Sequence, residues 1–241
     1  MRRRILAPLI GMSFAAACQG DLAVHIRGGD RPPNPEHVAP PDGGIVSSDL
    51  VLSTGVSVDR FQIVVRSMRL QEAPTDGGVD APGAVYVGPG PYLVDLVGSS
   101  LTGGAFTDFI GGFLIGPRSF YEMDITLEPA SQGDVELTPA LAPLLGKTFV
   151  IQGHNAQGAP FRFESSMVKV LVRPSVYRLG TNHNNIDVNI APNTWFALPD
   201  GGVIDPTTTD PALRATIEEN VAASIDAYED DNMDGNPDPL G

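Results

Sequence analysis

The chain is short of the residues that carry thiol and redox chemistry. Cys18 is the only cysteine among 241 residues, so the chain cannot form an internal disulfide or a thiol redox pair. Aromatic residues make up 7% of the chain, with Trp195 as the single tryptophan, which leaves little material for a sugar-binding platform. We therefore expect Trp195 to fill the core, with a sugar-stacking surface as the alternative.

Catalytic motifs are missing as well. The chain contains four histidines: His25, His37, His154 and His183. None of them forms an H-E-x-x-H motif or another close ligand pair, and we expect His154 and His183 to be exposed loop residues. The chain has no G-x-S-x-G nucleophile elbow and no phosphate-binding glycine pattern. The sequence therefore predicts no catalytic residue and favours a protein that is not an enzyme.

Acidic residues are abundant, so the composition does not exclude a hydrolase that uses a pair of carboxylates. Glu122 and Asp124 alternate with apolar residues over 121–127, which places both on one face of a predicted strand. Solvent on that face accounts for the two acids without catalysis. An envelope hydrolase that acts on glycan with two carboxylates is the alternative to a non-catalytic protein.

Residues 1–18 have the three parts of an export signal. Arginines at positions 2, 3 and 4 precede 13 apolar or small residues, a run too short to cross a bilayer core that needs about 20 residues. The run ends in three alanines directly before Cys18. This ending resembles the signal of bacterial lipoproteins, although leucine is commoner at the position of Ala15. The resemblance implies that residues 1–17 are removed and that Cys18 then carries the lipid.

Lipidation of Cys18 would decide where the protein resides. More than one acyl chain holds a protein stably on a membrane, and lipidation also removes a free thiol from an oxidising compartment. An ordinary secreted protein with an incidental cysteine is the alternative. Gln19 is not the aspartate that retains lipoproteins in the inner membrane in well-studied sorting systems. The resemblance therefore favours the cell envelope, and within it the outer membrane.

Net charge narrows the possible partners. Removal of the signal leaves 12 basic and 29 acidic residues, so the mature chain carries a net charge of −17. A chain this acidic is not expected to bind nucleic acid. The expected partners are the membrane, through the lipid, and an envelope protein or glycan.

Alternating apolar residues predict a β-rich domain. Glycine and proline number 49 together and separate short β-prone runs at 61–70, 84–87, 92–96, 121–127, 148–152, 161–172 and 186–190. This pattern predicts an antiparallel β-sandwich of immunoglobulin or transthyretin type with one C-terminal helix. The order of the runs is similar to an uncharacterised group of exported bacterial β-sandwich lipoproteins. We assign residues 45–195 to the sandwich and 196–241 to a C-terminal helix and acidic tail.

The segment that follows the cysteine has two interpretations. Leu22, Val24 and Ile26 alternate with other residues, which predicts a first strand over 21–27. Proline and glycine are frequent over 28–44, which is typical of a semi-stiff linker. The segment 18–44 is therefore either a tether for the lipid or a tether that contains the first strand.

A helix is predicted near the end of the chain. Asp210 and Pro211 form a typical helix start, with an N-cap and a proline at the first helical position. Apolar residues then recur every four positions from Leu213 to Ile225, which predicts a helix over about 211–227.

The acidic tail resembles a calcium loop of the EF-hand, dockerin or thrombospondin type. The pattern D-x-N-x-D-G-x-x-D runs over 230–238, and a hard dication prefers such a series of oxygen ligands. The resemblance implies a calcium site formed by five residues: Asp230, Asn232, Asp234, Asn236 and Asp238. The position of the bidentate glutamate falls on Gly241, so a plain solvated tail is the alternative. We expect a lipid-anchored, non-catalytic envelope protein that serves as a binding or structural module. Calcium binding to the tail would stabilise this protein.

Overall fold

About half of the residues that the structure describes lie in strands, and these strands form two hydrogen-bonded sheets. The computed structural model describes residues 20–28, 50–72, 85–87, 90–101, 107–115, 118–180 and 184–231. The strands are β1 (Gly20–Gly28), β2 (Leu50–Val51), β3 (Ser57–Glu72), β4 (Val85–Tyr86), β5 (Tyr92–Val97), β6 (Thr107–Ile115), β7 (Arg118–Leu127), β8 (Phe149–His154), β9 (Pro160–Ser165), β10 (Lys169–Leu179), β11 (Asn184–Ile190) and β12 (Ile225–Glu229). The helices are α1 (Gln132–Leu137) and α2 (Pro211–Ala223).

The smaller sheet has four strands in the order β12-β11-β1-β6. Strand β1 lies inside this sheet, where it pairs in parallel with β11 and antiparallel with β6. Leu22, Val24 and Ile26 are each at most 1% exposed, because they point into the main core. The strand predicted over 21–27 is therefore confirmed, and it begins only two residues after Cys18.

The larger sheet is organised around β3, a strand of 16 residues. Its main path runs β10-β7-β3-β8-β9, and β2, β4 and β5 also pair with β3. The first half of β3 pairs with both β5 and β8, and its second half pairs with β7 and β4. Long strands of this kind join the two ends of a sandwich.

The two sheets face each other across one main apolar core. It includes the inward side chains of β1, β3, β7, β8 and β11, together with apolar residues of α2. Phe61 lies against Trp195, with 4.6 Å between the ring centroids, and Trp195 is fully buried. The indole Nε1–H of Trp195 donates to Ser224 Oγ at 2.8 Å. The expectation that Trp195 fills the core is confirmed, and so is the mainly β sandwich with one C-terminal helix.

A second, smaller apolar cluster covers the other face of the larger sheet. It contains Val64 and Val150 from the sheet and Leu141 and Leu144 from the segment after α1. An ion pair holds this segment in place, because Arg66 Nη1 donates to Asp134 Oδ1 at 2.8 Å. The Arg66 guanidinium, helped by hydrogen bonds from Ser131, holds the pKa of Asp134 well below its usual range.

The C-terminal helix begins as predicted but ends earlier. Asp210 caps α2 by accepting a hydrogen bond from the Ala212 N–H at 2.8 Å, and Pro211 is the first helical residue. The helix stops at Ala223, and Ile225, which was predicted to be helical, opens β12. The prediction of a helix to residue 227 is wrong, because pairing with β11 offers residues 225–229 a full ladder of hydrogen bonds.

The predicted hairpin forms, but its second strand is shorter than expected. Strands β8 and β9 pair antiparallel around a turn in which Asn155 Oδ1 accepts hydrogen bonds from two main-chain N–H groups. The strand predicted over 161–172 is divided, because β9 ends at Ser165 and β10 pairs with β7 instead. Residues 166–168 thus link the end of β9, which pairs with β8, to the start of β10, which pairs with β7.

One open side of the sandwich is closed by side chains of β10. Arg173 Nη2 donates to the Ala222 carbonyl at 2.7 Å, and Arg173 Nε donates to the Ile225 carbonyl. The Tyr177 hydroxyl donates to the Ala227 carbonyl at 3.0 Å. Successive residues of β10 contact successive residues of β12, so the two strands run in the same direction. These contacts cover an edge that would otherwise expose unpaired main-chain groups.

Candidate functional site

One end of the sandwich brings the start of β1 together with the end of β12. Leu22 pairs with Asn184 in parallel, so β1 and β11 both begin here. Strand β12 runs antiparallel to β11 and therefore ends here, with Glu229 opposite Ile186. We call this the Gly20 end. In sequence, the predicted lipid cysteine and the predicted calcium loop adjoin this same end.

Two acidic residues close the Gly20 end against β11. The Asp230 N–H donates to the Asn185 carbonyl at 3.0 Å, and the Asp230 side chain is 1% exposed. Asp231 Oδ1 accepts from the Asn185 N–H at 2.8 Å, and the Asp231 carbonyl accepts from Asn185 Nδ2 at 3.2 Å. The start of the acidic tail is therefore hydrogen-bonded to β11, with Asp230 buried and Asp231 exposed.

Most of the predicted site residues lie outside the described residues. These are Cys18, Asn232, Asp234, Asn236 and Asp238. Asp230 is the predicted calcium ligand that the structure describes. Within residues 20–231, as far as they are described, no group of three or more His, Cys, Asp or Glu side chains is arranged to hold a metal ion. In the chain, strand β12, and not a helix, precedes the tail whose sequence resembles a calcium loop.

A row of polar side chains crosses the smaller sheet on the face away from the main core. His25, Asp187 and Tyr228 occupy matching positions on three neighbouring strands, β1, β11 and β12. Their exposed fractions are 8%, 1% and 2%. His25 lies in an internal strand, within the segment predicted to be a strand over 21–27. Asn185 and Asn189 extend this row along β11, and both are at most 3% exposed.

The contacts of this polar row favour a structural role. The Tyr228 hydroxyl donates to Asp187 Oδ2 at 2.6 Å, and His25 Nε2 lies 3.1 Å from Asn185 Oδ1. Solvent barely reaches His25, Asp187 or Tyr228. The row connects β1, β11 and β12 through side chains, in addition to their main-chain ladders.

The sequence did not predict this row. Asp187 and Asn189 alternate with Ile186, Val188 and Ile190, which indicates one apolar and one solvated face. All seven residues of β11 are buried. Alternation identifies the apolar face of a strand, but it does not tell whether the second face is covered.

The carboxylate pair of β7 lies on the outer face of the larger sheet, as predicted. Asp124 Oδ2 accepts from Gln71 Nε2 at 2.8 Å and lies 3.3 Å from Arg69 Nη2. Burial raises the pKa of Glu122, and the neighbouring Asp124 carboxylate adds to the rise. Arg69 and Gln71 on β3 thus hold one member of the pair within a cross-strand network.

A shallow groove lies at the opposite end of the sandwich, where β3 begins and β8 ends. We call this the Thr54 end. The groove has a volume of about 280 Å³, and its lining includes Thr54, Val56, Asn155, Gln157, Val203 and Asp205. Asp205 is engaged locally, because hydrogen bonds from the N–H and hydroxyl of Thr207 lower the pKa of Asp205. Loops, and not strand interiors, therefore form this concave surface.

Comparison with known proteins adds no function to this geometry. No protein-family model, curated protein or solved structure matches the chain. Among the described residues, no helix has both the length and the apolar character needed to cross a membrane.

Proposed function

We propose that the chain is a non-catalytic lipoprotein of the bacterial cell envelope, held to the membrane, and by preference the outer membrane, through lipid on Cys18. Its β-sandwich serves as a binding or structural module for an envelope protein or glycan. The observation that carries the proposal is the short distance in sequence between Cys18 and β1. An export signal with a small-residue triplet before a cysteine leads into a folded strand after one intervening residue, Gln19.

The interior of the sandwich supports a non-catalytic role. Large side chains fill the main core, and Trp195, Phe61, Phe149 and Phe163 are among those that are fully buried. The polar row on the smaller sheet is buried too, with His25 at 8% exposure as its most accessible side chain. The groove at the Thr54 end is shallow and is lined by turns. A reacting constellation needs a cleft in which substrate meets two or more functional groups.

Replacing Cys18 with serine tests the anchor. We expect Cys18→Ser to abolish incorporation of labelled fatty acid. The variant should accumulate as uncleaved precursor or as soluble protein, and no longer as lipidated protein in the membrane fraction. The reason is that only the cysteine thiol can form the thioether to the lipid. The measurement is acyl labelling combined with fractionation of expressing cells.

The matched control for the anchor is Ser53→Cys in the Cys18→Ser background, which restores a thiol at an exposed position without the preceding signal residues. It should remain unlabelled. Acyl labelling that persists in Cys18→Ser, or that returns in the control, would remove the lipoprotein assignment.

The alternative function is an envelope hydrolase that acts on glycan. If the wild-type protein turned over glycan and Glu122→Gln lost that activity, the protein would be a hydrolase and not a non-catalytic module.

We further propose that calcium stabilises the tail. Asp230, Asn232, Asp234 and Asp238 would supply side-chain oxygens and Asn236 its carbonyl, an all-oxygen donor set that suits a hard dication. When bound, calcium would neutralise the carboxylates and connect the tail to the end of β12. Asp230 supports this proposal, because its main chain is already bonded to Asn185.

Removing one ligand tests the calcium site. In calcium at 100 times its Kd, binding stabilises the folded state by about 2.7 kcal/mol, which raises Tm by roughly 5–10 °C for a chain of this size. Asp234→Ala should lose this rise and the heat of binding in calorimetry. Asp200→Ala, which removes an exposed carboxylate from another acidic turn, should keep both. Absence of binding heat at millimolar calcium in the wild type would eliminate the site.

A further inference from the structure

We infer that the Gly20 end of the sandwich lies against the lipid surface, and that the Thr54 end points away from it. The inference rests on the proposed lipidation of Cys18 and goes beyond it, because it assigns an orientation and an outward surface. The partner at the Gly20 end is a lipid bilayer, and the surface left for other partners is the loop end with the groove.

The first argument is the reach of the chain. One residue, Gln19, separates Cys18 from Gly20, so two residue steps bring the lipid-bearing residue within about 7 Å of the start of β1. Strand β1 is held on both sides, by Ile115 opposite Gly20 and by Asn184 opposite Leu22. It cannot detach to form a tether without breaking two ladders of hydrogen bonds. The structure therefore favours close attachment over a long flexible tether.

The second argument is the direction of the strands. Strand β3 joins the two ends, and at a rise of about 3.3 Å per residue its 16 residues span roughly 50 Å. The strands of the two sheets run close to a common axis, because contacts such as Tyr177 to Ala227 and Arg178 to Glu229 follow β10 and β12 in step. Because β1 starts at the anchor and runs along this axis, the Thr54 end lies on the side of the sandwich away from the membrane.

The third argument is charge. The mature chain carries a net charge of −17, so contact between the flanks of the sandwich and anionic headgroups is unfavourable. Acidic residues at the Gly20 end face the same repulsion, at about 1 kcal/mol for each charge near the surface. The acyl chains outweigh it, because each buried CH₂ contributes about 0.8 kcal/mol. An upright orientation keeps the remaining charges away from the lipid.

Energy transfer from two labelled positions to the membrane tests the orientation. The chain has one cysteine, which lipidation blocks, so an introduced cysteine is the single free thiol. Ser119→Cys labels an exposed position near the Gly20 end, and Gln157→Cys labels an exposed position at the Thr54 end. Each full-length lipidated variant carries a donor dye and is reconstituted into phosphatidylethanolamine–phosphatidylglycerol vesicles that contain an acceptor headgroup lipid.

We expect several-fold higher transfer efficiency from position 119 than from position 157. A flexible Gly/Ser insertion of about 20 residues between Gln19 and Gly20 has an end-to-end distance near 25 Å, and it should remove most of this difference. Equal transfer from both positions would overturn the inference, as would an insertion variant that keeps the full difference. Protein that fails to float with the vesicles would instead overturn the lipid anchor itself, so the two failures are distinguishable.

Discussion

A chain that ends after Ser224 should not fold stably, whereas a chain that ends after Asp231 should keep the fold. The first truncation removes β12, in which Ile225, Ala227 and Tyr228 are each at most 3% exposed. Burial of a large apolar side chain contributes about 1.5–3 kcal/mol, so the loss approaches the 5–15 kcal/mol by which domains are usually stable. The truncation also exposes β11 as a new edge strand.

Urea unfolding followed by circular dichroism measures the difference between the two truncations. In calcium-free buffer, the free energy of unfolding of the chain ending after Asp231 should be within about 1 kcal/mol of that of the full chain, because the pairing of β12 with β11 and the contact of Asp231 with Asn185 remain. The chain ending after Ser224 should show no cooperative transition. A normal urea midpoint in that shorter chain would mean that β12 is not part of the folded core.

The helix boundary shows how sequence prediction failed near β12. The stripe of Leu213, Ile217, Val221 and Ile225 has helical spacing, and it predicts a helix that includes position 225. Ile225 and Ala227 also alternate as in a strand, and a five-residue run is too short for its own periodicity to decide. A partner distant in sequence, β11, decides the outcome through five paired positions. Local propensity carries no information about such a partner.

Strand prediction succeeded where one face meets the core and the other meets solvent. The run at 121–127 corresponds to most of β7, and β8 pairs with β9 as the predicted hairpin. Strand β6 was missed, because Gly111 and Gly112 interrupt its apolar pattern. The strand after Cys18 was one of two alternatives, and its pairing with β6 and β11 decided between them.

The candidate site was also predictable only in part from the sequence. Motifs in the sequence point to Cys18 and to the acidic tail, because lipidation and calcium binding depend on short local patterns. That both adjoin one end of the sandwich follows from the parallel pairing of β1 with β11 and the antiparallel pairing of β12. The first pairing joins residues more than 150 positions apart and the second joins residues about 40 positions apart, so no local pattern predicts either of them.

Replacing Trp195 with alanine should destabilise the protein by about 3–5 kcal/mol, the usual cost of removing a large aromatic side chain from a core. Trp195 is fully buried, lies 4.6 Å from Phe61 between ring centroids, and donates to Ser224 Oγ. At roughly 2–4 °C for each kcal/mol, Tm should fall by about 10 °C. Thermal unfolding followed by circular dichroism gives the measurement, since the variant lacks the chain's single tryptophan.

Trp195→Phe separates ring packing from the hydrogen bond. It keeps an aromatic ring near Phe61 and removes the donor to Ser224, whose hydroxyl still donates to the Val221 carbonyl at 2.7 Å. Because the Ser224 hydroxyl keeps a partner, we expect a loss of about 1–2 kcal/mol, clearly smaller than for alanine. A role for Trp195 as an exposed sugar platform predicts the opposite: both variants would unfold like the wild type. Equal and small losses would therefore show that the aromatic cluster around Phe61 does not depend on Trp195.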